Sequence, residues 1–297
     1  ARLGYSEDNI YITAGSDAGI KSVFEVFVEK EDSVALLDPT YAMFYVYTRM
    51  FQANLLKINY KKDLSLLAED VMRTISEYSP KLLCIANPNS PTGTVLPPKD
   101  IEKILDSALK RNTVVLIDEA YYPFYPVSSV ELISGYPNLV ITRTFSKAMG
   151  LASARLGFVI GQSRIIEYLH KVRPMYETNA FAVKFAELIM ENYHLVEKGL
   201  DEVKRAKAYL EKELADLKVP YFKSYANFIL IDVGSPETGI RIREGLSKKK
   251  ILIKAAFNNP VLENCIRVTV GNIEQMKYFV KNFRAFFERE IEHAEVA

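Results

Sequence analysis

The chain has 297 residues; 49% are hydrophobic and 25% charged, and 38 basic against 37 acidic side chains leave a formal net charge of +1. These are ordinary values for a globular protein that can bury a sizeable core and form two domains. The near-balance of charge argues against nucleic acid or an anionic membrane as a partner, and no apolar run is long enough to cross a bilayer. No charged-then-apolar signal segment opens the chain, and we expect a cytoplasmic protein.

Cysteine and histidine, which often bind transition metals, are scarce. Cys84 and Cys265 each lie in an apolar, strand-like run, which favours reduced core thiols over a disulfide. His170, His194 and His293 lie on helical segments at spacings that do not suit a metal ion. We therefore expect no metal site.

The first half of the chain alternates strand-like apolar runs with segments of helical period. After residues 10–13, for example, Ile20, Val23, Phe24 and Phe27 recur at the spacing of one helix face. This alternation predicts an α/β fold, with a mostly parallel sheet flanked by helices. Further strands are predicted at residues 33–37, 55–58, 82–86, 113–117, 139–141 and 156–160.

The second half changes character. Residues 180–217 read as one long amphipathic helix, and Pro220 marks a break. Short strands are predicted at residues 227–233, 251–253 and 265–270, with helices at 239–248 and 273–290. We therefore predict a large domain over residues 1–180 and a smaller α+β domain over residues 181–297 that includes the connecting helix.

Lys147 follows the predicted strand at 139–141. A lysine that emerges from a mostly buried sheet has a lowered pKa, and its neutral amine is a nucleophile. Thr144 and Ser146 come just before it and Arg155 follows eight residues later, which suits a phosphate beside the amine. The pattern favours a Schiff base to a phosphate-bearing aldehyde; the alternative is an ordinary surface lysine.

Other polar residues follow the predicted strands, where ligands bind in parallel sheets. Asp118 could pair with a protonated pyridine nitrogen, or it could cap a turn. Tyr121 could donate a hydrogen bond to a ring oxygen, as could Asn89 or Ser90 unless their loop is a plain turn. Tyr41 could stack on a flat ring, or it could be an ordinary core aromatic.

Two further groups could bind anions. The run from Gly15 to Gly19 leads into a helix whose N–H groups and dipole could hold a phosphate. It matches neither the dinucleotide nor the nucleoside-triphosphate glycine pattern, which argues against both ligands. Arg267 lies within an apolar strand, where a buried guanidinium needs either a substrate carboxylate or a structural salt bridge.

Together these motifs resemble the fold-type-I, pyridoxal-phosphate-dependent aminotransferases of class I/II, and within them the histidinol-phosphate aminotransferases. The resemblance covers nearly the whole chain. It is carried by Gly15-Ser16-Asp17, Pro39-Thr40-Tyr41, Pro88-Asn89-Ser90-Pro91-Thr92-Gly93, Asp118-Glu119-Ala120-Tyr121, Ser146-Lys147 with Arg155, and Arg267.

The resemblance implies a role for each residue around the pyridoxal phosphate ring. Lys147 forms the internal aldimine and then moves the proton between the substrate Cα and the cofactor C4′. Asp118 pairs with the pyridinium nitrogen. Tyr121 and Asn89 reach the ring hydroxyl, and Tyr41 stacks on the ring.

The same resemblance places the cofactor's phosphate and the substrate. Ser16 and Asp17, chiefly through their backbone, bind the phosphate with Ser146, Arg155 and possible help from Thr144. Arg267 binds the amino-acid carboxylate. A homodimer is also implied.

Three features differ from the family's pattern. The opening segment, which normally supplies a lid and reaches the neighbouring subunit's site, is missing, so we expect a truncated product. The usual Asn-Pro-Thr-Gly begins with Ser90 here, with Asn89 one place early, so either residue could contact the ring hydroxyl. Lys254 stands where histidinol-phosphate aminotransferases usually carry a phosphate-binding arginine, and lysine can still bind phosphate as a point charge.

We therefore expect an aminotransferase that acts on an amino acid or amino-phosphate donor and a keto acceptor. One alternative is a pyridoxal-phosphate-dependent decarboxylase of a phosphorylated amino acid, which also needs Lys147. Another is a catalytically inactive protein that still binds the cofactor.

Overall fold

The computed structural model describes the backbone of residues 4–296 and the side chains of residues 4–287. The chain forms two compact units. The first comprises residues up to 60, 65–90 and 95–196; the second comprises 61–64, 91–94 and the chain from 197 onward. The division falls later than the predicted boundary at 180, because Ala182 and Ala186 pack against Leu156 of the first unit.

The first unit contains a seven-stranded sheet in the order β1-β7-β6-β5-β4-β2-β3. Strand β2 pairs in parallel with β3 and β4, and β4, β5 and β6 continue the parallel ladder. Strand β7 runs antiparallel to β6 and β1. The prediction of a mostly parallel α/β sheet is therefore confirmed. The strands are β1 (Ile10–Thr13), β2 (Ser33–Asp38), β3 (Asn54–Asn59), β4 (Leu82–Ala86), β5 (Val114–Asp118), β6 (Leu139–Thr144) and β7 (Gly157–Gly161).

Helices cover this sheet, and every residue of β4 is buried, as expected for a strand covered on both faces. Helix α1 turns Ile20, Val23 and Phe24 into the core, in agreement with the predicted apolar face. The helices of the first unit are α1 (Ser16–Phe27), α2 (Ala42–Met50), α3 (Ala68–Tyr78), α4 (Pro98–Lys110), α5 (Ser163–Lys171) and α6 (Ala180–Glu191).

The second unit has a three-stranded antiparallel sheet in the order β10-β9-β8. Phe279 and Phe283 are buried in the same core cluster as Ile229, Ile231 and Ile266 of this sheet. Its elements are α7 (His194–Asp216), which begins in the last residues of the first unit, β8 (Tyr221–Phe222), β9 (Phe228–Asp232), α8 (Pro236–Lys248), β10 (Cys265–Thr269) and α9 (Ile273–Val296).

Two predicted elements are wrong. The helix predicted at 180–217 is two helices, because Asn192 ends α6 and its side-chain amide donates to the Leu188 carbonyl over 2.9 Å. The strand predicted at 251–253 does not form. The backbone N–H of Ile251 instead closes the end of α8 on the Leu246 carbonyl, and Leu252 is 85% exposed.

Other sequence-based expectations concern single residues. Cys84 and Cys265 are buried free thiols, as predicted. No group of three His, Cys, Asp or Glu side chains among the described residues is placed to hold a metal; the side chain of His293 lies outside that part of the chain. No described helix is both long and apolar enough to cross a membrane.

Candidate functional site

The parallel strands of the first unit end at one edge of the sheet. Asp118 closes β5, Ala86 lies beside it at the end of β4, and Thr142 lies beside it in β6. Because parallel strands present their carboxyl ends together, the residues predicted for the site after β2, β4, β5 and β6 share this edge.

Asp118 is a carboxyl group held inside the protein. It is 5% exposed, and Thr142 Oγ1 donates a hydrogen bond of 2.8 Å to its Oδ1. Burial raises the pKa of Asp118 to about 7, and the neighbouring charge of Glu119 adds to the rise. The Thr142 hydrogen bond and the Lys147 charge act in the opposite direction. A cationic partner would restore the ionised form, which fits the predicted contact with a pyridinium nitrogen.

A buried ion pair lies next to this carboxyl, and it was not predicted from the sequence. Arg143 donates from Nε and Nη2 to Glu119 Oε2 over 3.0 and 2.8 Å, and its guanidinium lies 3.6 Å from the Tyr122 ring centroid. Glu119 also accepts from the Ser128 hydroxyl and the Ser129 N–H. The sequence did hold a signal for this pair, because Arg143 is a charged residue within the apolar run that forms β6.

The turn between β1 and α1 packs backbone against backbone. Gly15 adopts a left-handed φ of 88°, and Thr13 Oγ1 donates to its carbonyl over 2.8 Å. A Cβ at Gly157 would lie 2.4 Å from Ser16 N and 2.5 Å from Gly15 C. Only glycine at position 157 therefore permits this approach.

A cation lies over the same turn. The Arg155 Nη2 is 3.0 Å from the position that a Cβ on Gly15 would occupy, and its Nη1 lies 3.5 Å from Ser146 Oγ. The Ser146 N–H in turn donates to Thr144 Oγ1 over 3.1 Å. A guanidinium, a hydroxyl and the N-terminus of α1 thus converge, and this combination suits a phosphate dianion.

The side chain of Asp17 is directed to two tyrosines. It accepts hydrogen bonds from Tyr47 over 2.9 Å and from Tyr41 over 3.4 Å. Burial, with the Asp17 charge, raises the pKa of both phenols. The Asp17 carboxylate is therefore hydrogen-bonded to two tyrosine hydroxyls. This leaves its backbone N–H for a phosphate, in line with the predicted role.

Asn89 and Tyr121 are both buried near the ends of their strands. The Thr40 hydroxyl donates to Asn89 Oδ1 over 2.7 Å, and Asn89 Nδ2 donates to the Pro39 carbonyl over 2.9 Å. The amide orientation is therefore fixed by the loop after β2. Ser90 is half-buried.

Lys147 lies in the turn three residues beyond the end of β6, and it is exposed. The prediction was a lysine at the end of a strand that emerges from a mostly buried sheet; β6 is buried throughout, but it ends at Thr144 and the chain leaves the sheet before reaching the lysine, which is therefore exposed. Its Nζ lies 5.5 Å from the Tyr121 ring centroid and close enough to Asp118 to influence that carboxyl. An amine in this position is open to an incoming molecule.

In the second unit, Arg267 and Lys254 are neighbours across an antiparallel bridge. Each backbone N–H donates to the other's carbonyl, over 3.2 Å from Lys254 and 2.7 Å from Arg267. Arg267 is half-buried, where full burial was expected, and its guanidinium lies 5.1 Å from the Phe228 ring centroid. Both side chains are cationic, and this suits an anionic ligand.

Comparison with known sequences gives a consistent family. The model of the family "Aminotransferase class I and II" matches residues 2–283. A histidinol-phosphate aminotransferase of Clostridium novyi is 34% identical over 274 residues, which cover 92% of this chain and 75% of the relative. One from Thermoanaerobacter pseudethanolicus is 32% identical and covers 95% and 78%.

Solved structures share the fold. The histidinol-phosphate aminotransferase of Sinorhizobium meliloti, determined in complex with pyridoxal-5'-phosphate, aligns with a TM-score of 0.89 at 22% identity, covering 97% of this chain and 79% of that one. An L-threonine-O-3-phosphate decarboxylase from Porphyromonas gingivalis aligns with a TM-score of 0.81 at 21% identity, covering 97% and 86%. At these identities the likeness concerns the fold alone.

Proposed function

Because this chain belongs to the class I and II aminotransferase family, we propose that the carboxyl edge of its seven-stranded sheet binds pyridoxal phosphate and that Lys147 is the catalytic amine. The activity is the transfer of an amino group between a small-molecule amino donor and a keto acceptor, with pyridoxal phosphate as cofactor.

The phosphate is held by the turn that begins α1. The backbone N–H groups of Ser16 and Asp17 bind its oxygens at the positive end of the helix. Arg155 adds the cation and Ser146 a hydroxyl donor, while Thr144 fixes the Ser146 backbone. Support comes from the closeness of the Arg155 guanidinium to Gly15.

The buried carboxyl of Asp118 is the observation that carries the proposal. When bound, pyridoxal phosphate supplies an amine-reactive aldehyde and a ring that takes up electrons. Asp118 holds the proton on the ring nitrogen, since a carboxyl whose pKa is raised by burial gains most from a cationic partner. Tyr41 stacks on the ring, and Tyr121 and Asn89 bind its hydroxyl.

Lys147 performs two tasks in this arrangement. With the cofactor bound, its exposed Nζ would be the amine that meets the aldehyde, and after the substrate amine displaces it, the freed Nζ would be placed to take the proton from the substrate Cα. Tyr121 lies beside the amine, with its ring centroid 5.5 Å from Nζ.

For the substrate we propose an amino-phosphate of the histidinol-phosphate type. Several relatives at 31–34% identity bear the name histidinol-phosphate aminotransferase, and paired cations suit a substrate with an anionic group. Arg267 binds a carboxylate or phosphate as a bidentate donor, and Lys254 adds a point charge. Arg267→Ala is expected to raise KM for the amino donor at least tenfold while cofactor binding stays intact; an unchanged KM would remove Arg267 from the site.

A homodimer is part of the proposal. Phe181, Phe185 and Leu188 are exposed on α6 at the spacing of one helix face, and such an apolar stripe favours contact with a second copy. Phe185→Ser should shift the protein towards monomer in analytical ultracentrifugation. We also propose a cytoplasmic location, consistent with two buried free thiols, which cell fractionation tests.

The function is tested by the visible absorption spectrum of the purified protein, followed while amino acids and phosphorylated amines are added. A transaminase converts the cofactor to its amine form and releases a keto product. Release of carbon dioxide would indicate a decarboxylase, and a bound cofactor that no amine changes would indicate an inactive protein. The two relatives named above, at 34% and 32% identity, bear the name histidinol-phosphate aminotransferase, which supports the transaminase.

A further inference from the structure

We propose that Glu177 is a positioning residue for the β1–α1 turn, and that its carboxylate sets the backbone N–H groups that bind the cofactor's phosphate. The inference rests on the proposed function, because it assumes that this turn binds the phosphate. Glu177 lies in the segment between α5 and α6, far along the chain from the turn itself.

The carboxylate of Glu177 joins two groups at the end of β1. Its Oε1 accepts a hydrogen bond from the Ala14 N–H over 3.3 Å, and its Oε2 accepts one from the Tyr11 hydroxyl over 2.5 Å. Ala14 is the residue between the last residue of β1 and Gly15, where the turn begins. Glu177 therefore restrains the turn at Ala14, where the chain leaves β1 and enters the turn.

Tyr11 gives this carboxylate a fixed point of attachment. Its side chain is fully buried, and its ring contacts the edge of His170 with centroids 5.2 Å apart. Burial and the hydrogen bond to Glu177 raise the pKa of Tyr11, so its hydroxyl stays a proton donor throughout the neutral range. A rigid donor holds Oε2, and the other oxygen is then aimed at Ala14.

The turn needs such an anchor because glycine supplies little restraint of its own. Gly15 has φ 88°, in a region that glycine enters freely along with many others. Within the turn, the Thr13 hydroxyl binds the Gly15 carbonyl and the Gly15 N–H binds the Thr13 carbonyl. These contacts are local; Gly157 of β7 packs against the turn at Gly15 and Ser16, and Glu177 adds a hydrogen bond at Ala14 from a third part of the chain.

The carboxylate also carries a negative charge near a site for an anion. The Tyr11 hydroxyl stabilises that charge through its hydrogen bond, and the Arg173 guanidinium lies near enough to act electrostatically on Tyr11. The benefit of Glu177 is therefore geometric, and a glutamine, whose oxygen accepts from Ala14 while its amide nitrogen donates to the Tyr11 oxygen, should serve nearly as well.

The test compares dissociation constants for pyridoxal phosphate and for pyridoxal, which lacks the phosphate. For Glu177→Ala we expect the pyridoxal phosphate constant to rise about tenfold with the pyridoxal constant unchanged, since one oriented contact is lost. Glu177→Gln keeps an oxygen acceptor and should remain within about threefold of wild type. Glu167→Ala removes an exposed glutamate of α5 whose ion-pair partner is Lys171, and it should change neither constant.

Two further measurements keep the proposal open to refutation. In the cofactor-free protein, Glu177→Ala should speed amide hydrogen exchange over residues 13–19. If that variant does not fold, Tyr11→Phe serves instead, because it removes the donor that aims the carboxylate, and it should raise the ratio of the two constants about threefold. An unchanged ratio, or an equal loss for both ligands, would overturn the role of Glu177.

Failure of the inference is distinguishable from failure of the proposed function. Arg155→Ala should raise the same ratio if the phosphate binds at this turn. If Arg155→Ala raises it and the Glu177 variants do not, only Glu177 is misassigned. If Arg155→Ala also leaves it unchanged, the phosphate binds elsewhere.

Discussion

Thr142 and Asp118 are directly paired in the register of neighbouring parallel strands, and the Thr142 hydroxyl donates to the Asp118 carboxyl over 2.8 Å. Burial raises the pKa of this carboxyl to about 7, while the hydrogen bond favours its ionised form. The threonine therefore favours the carboxylate near neutral pH, against the larger effect of burial.

Replacing Thr142 by valine should raise the free energy of the ionised Asp118 carboxyl in the folded protein. Thr142→Val is expected to lower the free energy of unfolding by about 1–2 kcal/mol at pH 8, and by less at pH 5, where Asp118 is already protonated. Urea unfolding of the cofactor-free protein measures both values. Thr113→Val is the matched control, because that buried hydroxyl makes no hydrogen bond to any described residue and its loss should cost nothing. Equal losses at the two pH values would contradict the account.

Asp118 should also give the cofactor-free protein a characteristic pH dependence. Its pKa is about 7 in the folded protein against an ordinary 3.8, so the folded state binds more protons between these values. The contribution of Asp118 to the free energy of unfolding is therefore greatest below about pH 4. It is lost as the pH rises to about 7, by at most about 1.4 kcal/mol per pH unit. Asp118→Asn should flatten this slope, which urea unfolding between pH 5 and 8 would measure. Parallel curves of unfolding free energy against pH for the two proteins would show that the pKa of Asp118 is not raised.

The buried pair of Glu119 and Arg143 should be important for stability. Glu119→Ala leaves a guanidinium that is 7% exposed without its carboxylate, and we expect a loss of about 3–5 kcal/mol in urea unfolding. Lys171→Ala breaks the exposed pair with Glu167 and should change stability by no more than about 0.5 kcal/mol. A loss below about 1 kcal/mol for Glu119→Ala would mean that solvent reaches Arg143.

Gly157 should be required for cofactor affinity. A methyl group at this position collides with the backbone of Ser16 and Gly15, so Gly157→Ala displaces the turn that binds the phosphate. We expect at least a tenfold rise in the dissociation constant of pyridoxal phosphate, measured by fluorescence titration. Gly199→Ala has open space around it inside α7 and should stabilise the protein by about 0.5–1 kcal/mol without changing affinity. Wild-type affinity for Gly157→Ala would place the phosphate elsewhere.

The sheet was predictable because its strands are apolar runs with sharp ends. Residues 10–13 and 82–86 were placed correctly to the residue, since polar or turn-forming residues follow each run. The break at Asn192 was not predictable from periodicity, because helical spacing continues on both sides of it and the end depends on one side-chain contact. The segment 251–253 has strand-like composition but no ladder partner among the described residues, and pairing is a property of the tertiary fold.

For the site, sequence motifs placed Asp118, Arg155 and the turn at Gly15 along one edge, but they carried no information on contacts from distant elements. Glu177 reaches Ala14 across a sequence separation of 163 residues, and Arg143 reaches Glu119 across 24. The exposure of Lys147 depends on where β6 ends, which the apolar run left undefined. Such relationships follow from how elements pack and not from local pattern.

The central claim is that Lys147 is the amine that joins covalently to the cofactor. Purified wild-type protein loaded with pyridoxal phosphate should, after borohydride reduction and proteolysis, yield a peptide with the phosphopyridoxyl group on Lys147, detected by mass spectrometry. Lys147→Ala should yield no modified peptide while still binding the cofactor reversibly. A modified peptide from another lysine in the wild-type protein, or a reducible adduct that persists in Lys147→Ala, would contradict the account.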